Sequence, residues 1–175
     1  CRISKVMIKM KTVNCRICRR KTGETFVNLG NTPLSNSYLK KNMIKNEKKF
    51  PLHALICKKC MLVQLEEFET PKKIFSEYAY FSSYSKTWLK HAEKYVEKMT
   101  KKFKLNSDHL VIEIASNDGY LLQYFKKHKI PILGIEPAKN IAEIAQKKKI
   151  PTITKFFGTK LAREIVKSGK QPDLL

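Results

Sequence analysis

Two Cys-x-x-Cys pairs, Cys15-Arg-Ile-Cys18 and Cys57-Lys-Lys-Cys60, constrain this chain more than any other feature. Each pair turns tightly enough to aim both thiols at one point, and two pairs supply the four thiolates that tetrahedral Zn²⁺ prefers. A redox dithiol or chance burial accounts for one such pair; two pairs in one chain favour zinc over both. Residues 19–56 separate them, more than the usual short zinc-ribbon spacing, so the knuckles are expected to bracket a small subdomain. Cys15, Cys18, Cys57 and Cys60 are therefore the predicted metal ligands. Four thiolates close the coordination and leave no position for water, so the zinc is expected to be structural. Cys1 has no partner and is assigned nothing.

The chain has 175 residues, 42% of them apolar and 10% aromatic, with few Gly and Pro, so it can bury a core. It could hold one ordinary domain, or a small domain plus part of a larger one. No apolar run approaches the roughly 18 residues of a membrane span. The N-terminus lacks a long apolar stretch and a small-residue cleavage site, which points to a cytoplasmic protein without a membrane partner. The chain begins with Cys rather than Met, so both ends are expected to be cut.

The net charge of +21 invites a nucleic-acid reading. The kind of base argues against it. Of the 36 basic residues only Arg2, Arg16, Arg19, Arg20 and Arg163 are arginine. Bidentate recognition of bases and phosphates favours Arg, whereas Lys is a solvated point charge. The lysines sit in small scattered groups, which a compositional bias explains as well as a ligand does.

Along the chain, residues 1–13 read as a tail and 14–70 as a zinc-binding domain. Short strands are expected at Thr25–Leu29, Gly30–Leu34, His53–Ile56 and Met61–Leu65, with an exposed lysine-rich helix or loop over 40–49. Residues 71–106 hold a Tyr/Ser-dense segment, 75–85, and a connector helix over 86–104 whose core stripe is Trp88, Ala92, Tyr95, Met99 and Phe103. The segment suits no regular element. Its hydroxyls could line a polar pocket, or its residues could simply cap helices and pack on the core. From 107 to 175 strands and helices alternate: strand 110–115, helix 120–128, strand 131–135, helix 139–149, strand 152–154, helix 159–168, and a strand opening at Asp173. The fold class is α/β: a small zinc-binding domain with short strands, a helical connector, and the first half of a Rossmann-like domain.

The turn Glu113-Ile-Ala-Ser-Asn-Asp-Gly119 after the first of these strands, with Glu136 at the end of the next, is where a doubly wound fold grips a nucleotide-like cofactor. Only Gly119 is glycine. Ala115 and Asn117 stand where a dinucleotide fingerprint has its first two glycines, which argues against close approach of a pyrophosphate. S-adenosylmethionine (SAM) has none, and its amino-carboxylate end could be met by backbone N–H groups, Ser116, Asn117 and Asp118, with Glu136 accepting from the ribose. The alternative is a plain strand–turn–helix in which Asn-Asp-Gly makes the turn and cap.

The blocks Cys15–Cys18, Gly30-Asn-Thr-Pro-Leu-Ser35, Phe50-Pro-Leu-His53, Cys57–Leu65, Tyr78-Ala-Tyr-Phe-Ser-Ser83, Glu113–Leu122, Gly134-Ile-Glu-Pro-Ala138 and Phe156-Phe-Gly158 occur in order. From Cys15 to the last residue the chain resembles the class I SAM-dependent C-methyltransferases that act on nucleotide-linked deoxysugars. The resemblance implies an N-terminal zinc domain, a Rossmann-like methyltransferase domain, and a nucleotide-sugar as small-molecule substrate, methylated at C-3 beside a 4-keto group. It implies zinc on Cys15, Cys18, Cys57 and Cys60, and SAM on Glu113, Ala115, Ser116, Asn117, Asp118, Gly119 and Glu136. Phe157 would pack near the adenine, and Tyr80, or else Tyr78, would face the sugar. The family's base and enolate-stabilising residues would lie beyond residue 175, so the chain is expected to be an incomplete portion, inactive alone. His53, His91 and His128 are assigned no chemistry. The competing readings are a zinc-ribbon nucleic-acid-binding module and a non-catalytic gene remnant.

Overall fold

The computed structural model describes residues 12–175. Cys1 and positions 1–11 of the expected tail lie outside the described residues. The chain divides into two units, one up to Thr70 and one from Pro71 to Leu175.

In the first unit, β1 (Val13–Asn14) and β2 (Lys21–Thr22) pair antiparallel across the first cysteine knuckle. An antiparallel meander follows, β3 (Glu24–Pro33), β4 (Lys49–Ile56) and β5 (Val63–Leu65), in that spatial order. The two strands expected over 25–34 are one: the pairing of β3 with β4 shifts register between Asn28 and Asn31, and Gly30 sits there with φ 78°. The glycine makes a bulge within the strand instead of ending it. Residues Lys41–Asn46 form a 3-10 helix with no buried residue, so its lysines are solvated as expected. The described apolar core of this unit is small, with Cys15, Leu55 and Cys57 buried and Thr22 and Gln64 as buried polar residues. Two of its three buried apolar side chains among the described residues are cysteines, so metal binding is expected to contribute to the folding of this unit.

The second unit opens with α1 (Pro71–Phe75) and an irregular stretch whose one turn is the 3-10 segment Ser82–Tyr84. Next comes α2 (Lys86–Phe103), started by Ser85, whose Oγ accepts the Trp88 N–H at 3.2 Å, and stopped by Lys104 in the left-handed conformation. The buried face of α2 differs from the expected stripe. Ala92 and Val96 are buried with Leu89 packed beside them, whereas Trp88, Tyr95 and Phe103 are 44–47% exposed. The expected stripe holds at Ala92, but its aromatic members do not: the buried steps run Leu89–Ala92–Val96, and Trp88, Tyr95 and Phe103 flank them with their bodies on the rim.

Alternation then begins with β6 (Val111–Ile114), α3 (Leu122–Lys127), β7 (Ile132–Ile135), α4 (Lys139–Lys147), β8 (Thr152–Ile153) and α5 (Thr159–Lys167). The sheet is parallel in the order β6-β7-β8. Leu174 pairs in parallel with Val111 on the other edge of β6, and the Ile112 N–H donates to the Leu174 carbonyl at 2.9 Å. The order Leu174-β6-β7-β8 is that of half a doubly wound sheet with its switch point beside β6. Successive residues of β6 serve opposite faces, as a pleated strand requires. Val111 joins a core with Leu122, Phe125 and Ala145 from α3 and α4, while Ile112 joins Leu161 and Ile165 from α5. Each fully buried Leu, Ile or Phe contributes about 1.5–3 kcal/mol. Both faces are thus covered, which a parallel sheet needs.

Candidate functional site

The two cysteine knuckles have the same backbone. In each, the first cysteine's carbonyl accepts the N–H four residues on (Arg19, Met61), and its own N–H donates to the carbonyl five residues on (Arg20, Leu62), all within 2.8–3.0 Å. Arg19 and Met61 both take the left-handed conformation that closes such a turn. The Sγ atoms of Cys15 and Cys60 lie 3.5 Å apart and those of Cys18 and Cys57 3.6 Å, and all four sulfurs lie within 4.8 Å of one another. A tetrahedron with metal–sulfur bonds of about 2.3 Å has edges of about 3.8 Å, so the set fits Zn²⁺.

The electrostatics agree with the geometry. Backbone N–H groups of Cys60 and Lys59 pull the Cys57 thiol down to about 6. The Cys18 and Ile17 N–H groups act in the same way on Cys15, against burial, and lower it too. For Cys60 the Leu62 N–H favours the thiolate, but the Cys15 sulfur, burial and the other two sulfurs outweigh it and push the value to about 11. Four crowded thiolates cannot all ionise without a cation between them.

In the second unit the chain after β6 turns through three left-handed residues, Ala115, Asn117 and Gly119, with φ of 57°, 49° and 77°. Ala115 and Asn117 thus adopt the backbone that glycine would take, and their Cβ atoms occupy the space it would leave. A cavity of about 520 Å³ opens at the carboxyl ends of β6 and β7. Its wall includes Ile114, Ala115, Asn117, Ile135, Glu136 and Pro137 from the strand ends, Phe156 and Phe157 after β8, and Phe75, Tyr78, Tyr80 and Ser82 from the Tyr/Ser segment. That is the crevice where doubly wound sheets bind ligands.

The expected cofactor residues fall into two groups. Ala115, Asn117, Glu136 and Phe157 line the cavity, as do Tyr78 and Tyr80. Ser116, Asp118 and Gly119 are buried outside the lining: Ser116 Oγ packs against Gly134, and Gly119 against Ile150. Asp118 faces Lys148, whose Nζ lies 3.2 Å from its Oδ2. Glu136 is 6% exposed, with Oε2 accepting the Asn117 N–H at 3.0 Å and Oε1 the Ala138 N–H at 2.9 Å. Each oxygen keeps a second acceptor position. Glu113 lies on β6 behind the turn, and its Oε2 is buried without a partner. Burial pushes Glu113 up to about 8; the Tyr120 hydroxyl opposes this, and the Glu136 and Asp118 carboxylates add to it. Burial likewise raises Tyr120 to about 12, so it stays a proton donor.

Residues 15–75 match the family model described as "Putative zinc binding domain". The chain is also 30% identical over 152 residues to the C-methyltransferase NovU of Streptomyces niveus. The chain resembles a zinc-domain C-methyltransferase. The match covers 86% of this chain and 36% of NovU, so the chain spans about a third of that relative's length.

Within the zinc-binding domain the sequence reading passed over Gln64, which is 6% exposed. Its Oε1 accepts the Arg16 N–H at 2.9 Å and its Nε2 donates to the Asn14 carbonyl at 3.2 Å, so β5 braces the first knuckle. In the second unit it passed over Tyr120, Asn140 and Lys148. A lone Gln, Asn or Lys carries no spacing signal, and these contacts exist only once distant segments meet. His53 hydrogen-bonds Thr25 across β3 and β4 at 2.8 Å, and His91 stacks on Trp88. Both are structural contacts.

Proposed function

We propose that this chain supplies the zinc domain and the methyl-donor site of a SAM-dependent C-methyltransferase acting on a nucleotide-linked 4-keto-deoxysugar. The observation that carries the reading is the charge of the cavity. In a chain of net charge +21, no Lys or Arg among the described residues lines the cavity, and Glu136 is the one carboxylate among them that does. A pyrophosphate cofactor needs donors and positive charge. A sulfonium cofactor with a ribose suits an aromatic wall and an acid. The rings of Phe75, Tyr78, Tyr80, Tyr120, Phe156 and Phe157 supply that wall.

SAM supplies an electrophilic methyl group on a sulfonium. The chain's own residues would hold and orient it: Glu136 by accepting from the ribose hydroxyls, Ala115 and Asn117 of the turn by lining the cavity, and Phe157 by packing on the adenine. Tyr80, 51% exposed on the cavity wall, would face the sugar, with Tyr78 as the second candidate. The lining includes no histidine among the described residues, and both Glu136 oxygens are engaged with backbone N–H groups. The proton at the acceptor carbon would therefore be removed by a group outside this lining. The chain alone is expected to bind SAM without transferring methyl.

Calorimetric titration tests the reading. One equivalent of SAM or S-adenosylhomocysteine should bind, and NAD should not. Binding of NAD without SAM, or tight salt-sensitive RNA binding without SAM, would overturn it.

A further inference from the structure

The Tyr78–Ser83 segment contributes Tyr78, Tyr80 and Ser82 to the cavity wall but has little regular structure of its own. Among the described residues, side chains from outside it hold it. Asn140, on α4, donates from Nδ2 to the Tyr78 carbonyl at 2.8 Å and accepts the Tyr78 N–H at 3.2 Å. Asn117, in the turn, donates to the Tyr80 carbonyl at 3.1 Å and accepts the Ser82 N–H at 2.8 Å. Lys148, closing α4, donates to Ser83 Oγ at 3.0 Å, the Asp118 carbonyl at 3.1 Å and Asp118 Oδ2 at 3.2 Å.

The pattern is specific. Each asparagine uses both ends of its amide on backbone groups of the segment, as a neighbouring strand would. Lys148 spends all three donors on the segment and the turn, and it pairs a carboxylate that is 2% exposed. Such a set orients backbone rather than adding burial: the Asn140 and Ser83 contacts are solvent-exposed and each is worth little net, while the Asn117 and Asp118 contacts are part-buried.

We propose that Asn140 and Lys148 are positioning residues that, through α4, set the pose of the tyrosine wall of the cavity. Neither residue is part of the cavity wall. The proposal rests on the methyl-donor reading for what the wall faces, but the tie itself is independent of it.

Amide hydrogen exchange on the full chain tests the tie, with SAM titration beside it. Asn140→Ala should speed exchange of the Tyr78 amide about tenfold while β6 and β7 stay protected and the melting temperature holds within a few degrees. Lys148→Met should do the same around Ser83, and Lys148→Arg should restore protection. SAM affinity of Asn140→Ala should fall several-fold. Wild-type exchange over 78–83 in both variants would overturn the proposal. So would loosening spread equally over the whole unit, which marks a merely structural role. If the unaltered chain binds no SAM while the variants still loosen 78–83, the methyl-donor reading fails and the tie stands.

Discussion

Oε2 of Glu136 lies 3.0 Å from the backbone nitrogen of Asn117, a residue 19 positions earlier. Parallel pairing of Ile114 with Ile135 brings the ends of β6 and β7 side by side and makes this bond possible. The other oxygen takes the Ala138 N–H, so one buried acid ties the turn after β6 to the entry of α4. Asn117 passes the tie on to Tyr80 and Ser82 through its side chain.

Replacing this acid has an effect on stability separate from any ligand. Glu136→Gln keeps one carbonyl acceptor and turns an NH₂ group towards the second N–H. A buried donor left unpaired costs about 1–3 kcal/mol. Urea unfolding of the second unit should show a loss in that range for Glu136→Gln and a larger one for Glu136→Ala. An unchanged midpoint would mean that the two N–H groups find other partners.

The left-handed turn gives opposite outcomes at two neighbouring positions. Ala115 has φ 57°, where a Cβ costs roughly 1–2 kcal/mol. Glycine at that position gives back about 0.5–1 kcal/mol in unfolded-state entropy. Ala115→Gly should therefore raise the melting temperature slightly. Gly119→Ala should lower it by several degrees, because φ is 77° and the new Cβ would meet Ile150 Cδ1. Thermal scans of the two variants that move in the same direction would contradict this backbone account.

Glu113 predicts a pH dependence. Its ordinary value is 4.5 and burial raises it to about 8 in the folded chain. Between those values the folded state holds a proton that the unfolded state has lost, so this group's contribution to stability falls as pH rises from 4.5 to 8 and is flat above. Each unit of difference corresponds to about 1.4 kcal/mol. Glu113→Gln should remove that slope and be the more stable form at pH 8. Denaturant midpoints across pH 5–9 for both chains check it, and parallel curves would exclude Glu113 as the source.

Metal removal should act on the first unit. Atomic spectroscopy should find one zinc per chain, and a strong chelator should release it with loss of the β1–β2 pairing. Thiol titration should then detect four newly reactive cysteines. Cys57→Ser should lower zinc content and give protease cleavage within residues 12–70. Full protection of that region without zinc would show that Gln64 and Leu55 suffice to hold it.

Elements with local causes were legible in the sequence. The cysteine spacing announced the metal cluster, and the alternation of apolar runs with helical periods announced the parallel sheet to within two or three residues at each boundary. The bulged β3 was read as two strands because Gly30 ends a strand and bends one equally well. The aromatic members of the expected α2 stripe were misread because aromatic residues satisfy the period even when they sit on the rim. Asn140 and Lys148 went unread for a different reason: nothing in their neighbours marks them.

The sequence by itself determined the chemistry available: four thiolates in two identical turns, a strand–turn–helix with Glu136 one strand later, and a tyrosine-rich segment ahead of them. Those follow from residue type and spacing, which act within a few bonds along the chain. Only the tertiary structure decided which groups meet. It turned Asp118 to Lys148, left Glu113 Oε2 buried behind the turn, joined Glu136 Oε2 to the Asn117 N–H, and tied Tyr78–Ser83 to Asn140, Asn117 and Lys148. Hydrogen bonds and ion pairs between segments 19 to 65 positions apart depend on packing of the sheet and its helices, and no local pattern encodes them.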